Sequence, residues 1–131
     1  MGIFNKIFGS SDASETPEPS KVQWIPLTDM AQLDTIVEES KTKPVAIFKH
    51  STRCGISKMV INQFERSYDL EANQMNVYYL DLLNYRPISQ EIAARFQVWH
   101  ESPQLIVIKN GITVGHASHS QINAVPLEEF I

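Results

Sequence analysis

Val45-Ala-Ile-Phe-Lys-His-Ser-Thr-Arg-Cys-Gly-Ile-Ser-Lys-Met59 is the stretch whose reading decides the fold. Val45 to Phe48 is a continuous apolar run with the length and β-branched content of a buried strand, and the polar tetrapeptide His50 to Arg53 behind it reads as a turn. Past Cys54 the apolar period becomes that of a helix: Ile56, Val60 and Phe64, with Ile61 and Tyr68, recur at helical intervals along one face. Cys54 thus stands where a strand hands over to a helix. First-turn amides lack intrahelical acceptors there, and the macrodipole favours negative charge. Arg53 brings a cation next door, and Lys58 is a second nearby. Cysteines in such settings have pKa values lowered from about 8.5 to roughly 3.5–7.5. The expectation for Cys54 is therefore a nucleophile rather than a packing residue.

With 131 residues, 43 % of them hydrophobic, the chain can build one real core without covalent staples. The net charge of -4 offers no basic cluster to neutralise several phosphates, which argues against a nucleic-acid partner. A single cysteine cannot form an internal disulfide, and no charged-then-apolar leader opens the sequence, so a reducing cytoplasm is the expected compartment. No run approaches the roughly 18 apolar residues of a membrane span.

Working outward, Val22, Trp24 and Ile25 read as a short strand ended by Pro26. Thr28 is placed to cap a helix whose buried stripe is Met30, Leu33, Ile36 and Val37. Val77 to Leu83 is a second apolar run, as expected of a strand covered on both sides in a parallel βαβ unit. Pro87 suits the start of a third helix with Ile88, Ile92, Ala93 and Phe96 on its core face. Leu105 to Ile108, the turn Asn110-Gly111 and Ile112 to Gly115 read as a hairpin, and Ser120 or Pro126 could open a last short helix. Upstream, Ile3, Phe4, Ile7 and Phe8 have helical spacing, read either as a frayed terminus or as a short amphipathic segment that docks to a membrane or a partner. Ser10 to Lys21 has a linker composition. Residues 1–21 are thus expected to be a flexible tail and residues 22–131 one domain. The domain's order is β-α-β-α-β-α-β-β-α: an α/β, thioredoxin-like fold with a central mixed sheet flanked by helices.

Two local features resemble the thioredoxin-like superfamily: Cys54 after the central strand, and Phe96-Gln-Val-Trp-His-Glu-Ser-Pro-Gln-Leu105, which is similar to its F-x-V-x-x-x-P-x-L stretch. The resemblance implies a cis Pro103 beside the active cysteine, with the backbone of Ser102 left to pair with an extended substrate segment. Within the superfamily the chain most resembles the monothiol bacilliredoxins of the bacillithiol system, through Phe48-Lys-His-Ser-Thr-Arg-Cys-Gly-Ile-Ser57, Trp99-His-Glu-Ser-Pro103 and Lys109-Asn-Gly111. Members of that group often carry proline directly after the cysteine, where this chain has Gly55. A second resemblance, to monothiol glutaredoxins, rests on Cys54-Gly-Ile-Ser57 and implies glutathione and a bridging iron-sulfur cluster. Glu101-Ser-Pro103 and Gly115-His-Ala-Ser-His-Ser120 do not match that family's glutathione grip.

A dithiol thioredoxin resolves its mixed disulfide with a second cysteine three residues after the first, and Ser57 occupies that place here. Its hydroxyl could donate to the Cys54 thiolate but cannot displace it, which leaves a monothiol cycle. The expected activity is a monothiol disulfide reductase that removes a low-molecular-weight thiol, bacillithiol-like, from mixed disulfides on cytoplasmic proteins. That thiol acts as co-substrate, and no tightly bound cofactor is expected. The alternatives are a glutaredoxin-like cluster- or thiol-binding module and a non-catalytic adaptor. Cys54, Ser57 and Arg53 are the candidate catalytic residues. Thr52, Gly55, Ser102, Pro103, Trp99 and His100 are candidates for contact with substrate. Trp99 is read either as packing or as a wall of the small-thiol pocket, and His50 either as an aid to Cys54 or as a strand-end surface residue. His116 and His119 lack carboxylate or cysteine neighbours, so no metal site is expected.

Overall fold

The computed structural model of the chain describes residues 20–131. The expected amphipathic start and nearly all of the expected linker lie outside the described residues. Five strands form one mixed sheet: β1 (Trp24–Pro26), β2 (Val45–His50), β3 (Asn76–Asp81), β4 (Gln104–Lys109) and β5 (Ile112–Ser118), in the spatial order β1-β3-β2-β4-β5. Strand β3 runs parallel to β1 and to β2, and β4 runs antiparallel to β2 and β5, so the parallel βαβ unit and the hairpin take the expected senses. Asn110 and Gly111 both have positive φ, 55° and 78°, which two-residue hairpin turns require and which these two residue types adopt at low cost.

Among the described residues three α-helices cover the sheet: α1 (Gln32–Glu39), α2 (Gly55–Ser67) and α3 (Arg86–Arg95). Helix α1 is opened by Asp29 and Gln32 rather than by Thr28. The Gln32 side-chain oxygen accepts from the Thr28 and Asp29 amides, and Asp29 accepts from the Ala31 amide. Met30 is exposed, so the buried stripe of α1 is narrower than its spacing suggested and begins at Leu33. The chain ends in two 3₁₀ turns, His119–Ala124 and Leu127–Phe130, where one short helix was expected.

Strand β2 lies at the centre, hydrogen-bonded on both sides and buried along its whole length. Period-2 alternation sends Val45 and Ile47 into a mostly aliphatic layer with Leu33, Ile36, Ile88 and Ile92, which also holds Tyr78 and Phe96. Ala46 and Phe48 go the other way, to Val60, Ile61, Phe64 and Ile122. Each fully buried aliphatic side chain adds roughly 1.5–3 kcal/mol relative to exposure. On the second face Phe48, Phe64 and Trp24 form a ring cluster with centroids 5.3–5.8 Å apart, and Trp24 donates from its indole to Glu65 at 2.6 Å.

The strand also runs two residues further than its apolar stretch. Lys49 and His50 are paired in the ladder with Leu80 and Asp81 of β3 and are themselves buried, so the turn before Cys54 is Ser51 to Arg53 only.

Candidate active site

The central strand delivers the chain to a tight turn in which the Cys54 amide donates to the Ser51 carbonyl at 3.2 Å. Cys54 then takes an extended conformation (φ -105°, ψ 120°) as the cap residue of α2, with its carbonyl accepting the first helical bond from the Lys58 amide at 3.0 Å. Its thiol is free and half-buried, and its side chain makes no capping bond. Thr52, Arg53 and Gly55 surround it on the surface. Open space lies where a Cβ on Gly55 would stand, so this glycine is not required by packing.

Ser57 is fully buried on the inner side of the first turn. Its hydroxyl shares a 2.8 Å hydrogen bond with Nδ1 of His50 and accepts from the Ser51 amide at 3.1 Å. These bonds tie the start of α2 to the end of β2. They make Ser57 a residue that holds the helix start in place. His50 is neither a surface residue nor bonded to the sulfur. Burial, with a smaller push from Lys58, keeps its imidazole below the usual histidine range against the opposing pull of Asp81. A neutral ring can share this bond with Ser57 in either tautomer, as acceptor or as donor. Ile56 and Met59 are exposed beside Cys54. Their exposure corrects the assignment of Ile56 to the buried face: in the first turn it is Ser57 that points inward.

Ser102 and Pro103 meet this turn at the same end of the sheet, because β4 begins opposite the end of β2, with Lys49 paired to Gln104. The Ser102–Pro103 peptide is cis, and Pro103 is buried with its carbonyl accepting from the His119 amide at 3.0 Å. Among the described residues, no loop or turn backbone bond engages Ser102. The loop ahead is braced by a residue the sequence reading passed over. Buried Gln104 donates to the Trp99 carbonyl at 2.8 Å and accepts from the Glu101 amide at 3.4 Å. Glu101 in turn accepts from the Ser118 hydroxyl. A polar residue at the first position of an otherwise apolar strand is the one signal that could have pointed to Gln104.

Trp99 is 92 % exposed, which rules out the packing role, and with His100 it borders an open apolar hollow over α3 lined also by Gln90, Ala93, Ala94 and Val98. His100 turns its Nδ1 inward, 3.3 Å from both Nζ of Lys49 and Oγ of Ser89. Burial first, then Lys49 and Arg86, keeps this imidazole below the usual histidine range. Thus the turn at Cys54 and the bend at Pro103 share one end of the sheet, Ser57 lies beneath, and Trp99 and His100 stand on the α3 side. Among the described residues no group of three or more His, Cys, Asp or Glu side chains is placed to hold a metal ion, and no helix is long and apolar enough to cross a membrane.

Solved structures share this architecture. A candidate oxidoreductase with a thioredoxin fold is 35 % identical, with a TM-score of 0.68 over 81 % of this chain and 91 % of its own. Thioredoxin from Schistosoma mansoni is 26 % identical, with a TM-score of 0.62 over 86 % of this chain and 99 % of its own. Thioredoxin from Malassezia sympodialis is 20 % identical, with a TM-score of 0.67 over 88 % of this chain and 96 % of its own, a likeness of fold alone. The sequence model of the monothiol bacilliredoxin BrxC family matches residues 25–127, which take in Cys54, Ser57 and Pro103. This thioredoxin-fold redox protein belongs to the monothiol bacilliredoxin BrxC family.

Proposed function

We propose that the chain is a monothiol disulfide reductase, with Cys54 as nucleophile, acting on cytoplasmic proteins that carry a small thiol in mixed disulfide. The observation that carries this reading is the placement of the one cysteine, half-exposed at the start of α2, with a buried serine three residues on where a resolving thiol would stand. In the first step the Cys54 thiolate attacks the small-thiol sulfur of a protein–S–S–R disulfide. A Cys54–S–S–R bond forms, the protein–sulfur bond breaks, and the protein leaves as a thiolate that takes a proton from water. In the second step a further small thiol, as thiolate, attacks the Cys54–S–S–R bond. It leaves as the small-molecule disulfide and restores Cys54, so the two electrons come from the small thiol.

Arg53, the exposed residue before Cys54, attracts acidic groups of the incoming thiol. Thr52 and Gly55 border the approach. Ser102 offers backbone groups to an extended client segment on the other side, with Pro103 fixing the bend, and Trp99 and His100 extend the contact surface toward α3. A bacillithiol-like thiol is the co-substrate that fits the family.

Intact-mass analysis tests this. Incubation with a client protein carrying bacillithiol or glutathione in mixed disulfide should transfer one small-thiol mass to Cys54 and release reduced client, and Cys54→Ala should abolish both. Unmodified Cys54 with unreleased client would overturn the reading. A visible absorption band after anaerobic iron and sulfide reconstitution, lost in Cys54→Ala, would point instead to cluster binding.

A further inference from the structure

Lys49 is fully buried in β2, on the face covered by α1 and α3, where the preceding positions of the same parity are Val45 and Ile47. Its ammonium has three N–H groups and two acceptors, the Ser89 carbonyl of α3 at 3.3 Å and Nδ1 of His100 at 3.3 Å. Among the described residues no carboxylate forms an ion pair with it. Glu101, next to His100 in sequence, accepts from the Ser118 hydroxyl and makes no ion pair with Lys49. Burial lowers the Lys49 pKa to about 8, which leaves it charged in neutral water. Arg86, exposed in the first turn of α3, is likewise unpaired among the described residues. Both cations act on His100, and a cavity of about 230 Å³ opens between Arg86, Ser89 and His100, walled by Leu82, Gln90 and Ala93.

We infer that this cavity is an anion subsite that takes a carboxylate of the small thiol while its sulfur exchanges at Cys54. The inference rests on the exchange chemistry proposed above. A buried cation without a counter-charge is costly; Lys49 stands behind His100 rather than in the cavity wall, so a carboxylate bound beside Arg86 and His100 offsets its charge across the imidazole rather than by contact. Arg86 has the planar fork that matches a carboxylate, and Ser89 adds a hydroxyl. With Nδ1 accepting from Lys49, the other ring nitrogen of neutral His100 carries a proton and is a further donor. The location fits as well. Lys49 is five residues before Cys54, at most about 18 Å even for extended chain, and the turn at Ser51–Cys54 shortens that path. A thiol of roughly tripeptide length, meeting the arginine side chain partway, covers such a span.

The test uses two disulfides of nearly equal size, oxidised glutathione and the same disulfide with its carboxylates converted to ethyl esters. The readout is the ratio of their rates of mixed-disulfide formation at Cys54, followed by intact mass at pH 7. The ratio should favour the free carboxylates in the wild type and fall about tenfold in Arg86→Ala, the loss of one charged contact, and by a smaller factor in Lys49→Met, whose charge acts from behind His100. Arg86 lies on the surface, so its variant does not depend on how the core tolerates the Lys49 change. A ratio unchanged in both variants, including a uniform fall of both rates, would overturn the subsite while leaving exchange at Cys54 intact. Absence of reaction with either disulfide in the wild type, together with no small-thiol transfer from a bacillithiol-modified client, would overturn the exchange reading and the subsite together.

Discussion

The two faces of β2 solve the same problem in opposite ways. Each carries apolar residues and then ends in a buried polar side chain, His50 over α2 and Lys49 over α3. His50 is neutral and shares a 2.8 Å bond with a serine that also receives a backbone amide, so its polar cost is met within the protein. Lys49 is a cation held by a carbonyl and an imidazole, with no ion-paired carboxylate among the described residues. The first arrangement fixes the helix start that presents Cys54. The second leaves an electrostatic debt in the folded protein that a ligand can settle.

The packing beneath the two polar ends differs too, and the largest expected effect lies there. Phe48→Ala should lower stability by about 3–5 kcal/mol, because it empties the middle of the Trp24–Phe48–Phe64 cluster, whereas Ile47→Val on the aliphatic face should cost about 0.5–1.5 kcal/mol. Urea denaturation measures both, and equal losses would break the contrast between an aromatic and an aliphatic face.

Next comes Ser57→Ala, which strands the His50 ring nitrogen and the Ser51 amide and should cost about 1–3 kcal/mol. The cost should not add to that of His50→Leu, since the two residues act as one unit. Strict additivity in the double-mutant cycle would mean that the bond contributes nothing.

The opposite sign is expected across the strand. Lys49→Met should raise stability at pH 7 by on the order of 1 kcal/mol, since it replaces a buried charge by a side chain of similar length. The pH dependence carries the same information. Between the folded value of about 8 and the ordinary 10.5, the unfolded chain holds more protons at Lys49 than the folded chain does, so this residue makes stability rise with pH through that window. The rise should be absent in Lys49→Met, and the tyrosines that titrate in both proteins cancel in the difference. Parallel pH profiles for wild type and variant would contradict the burial of a charged lysine. The smallest effect concerns neither polar end. Gly55→Ala, at the start of α2 with nothing against its Cβ, should gain about 0.5 kcal/mol by chevron or denaturant midpoint.

Much of this architecture was legible in the order of residues. The change of apolar period at Cys54, the proline near the start of α3 and Asn110-Gly111 each carry a local rule that tertiary contacts then obeyed. The errors have a common physical source. Hydrophobic runs report which residues are apolar, while a strand ends where its ladder ends, so reading β2 as finished before His50 missed two buried polar residues that β3 and β4 still pair. The same habit put Ile56 inside and overlooked Ser57, because in the first helical turn polar satisfaction outweighs hydropathy. Ser89 and Gln104 were beyond reach for another reason: their partners are distant in sequence, and no local pattern reports a bond from Lys49 to a carbonyl 40 residues later.

The two tryptophans occupy extremes. Trp24 is wedged among rings and bonded to Glu65, whereas Trp99 stands almost wholly in water at the rim of the site. Excitation near the red edge of indole absorbance should therefore separate a protected emitter from one that iodide quenches freely. A client settling over Cys54 and the Pro103 bend would dry the second indole first, so the protein carries its own optical gauge of docking.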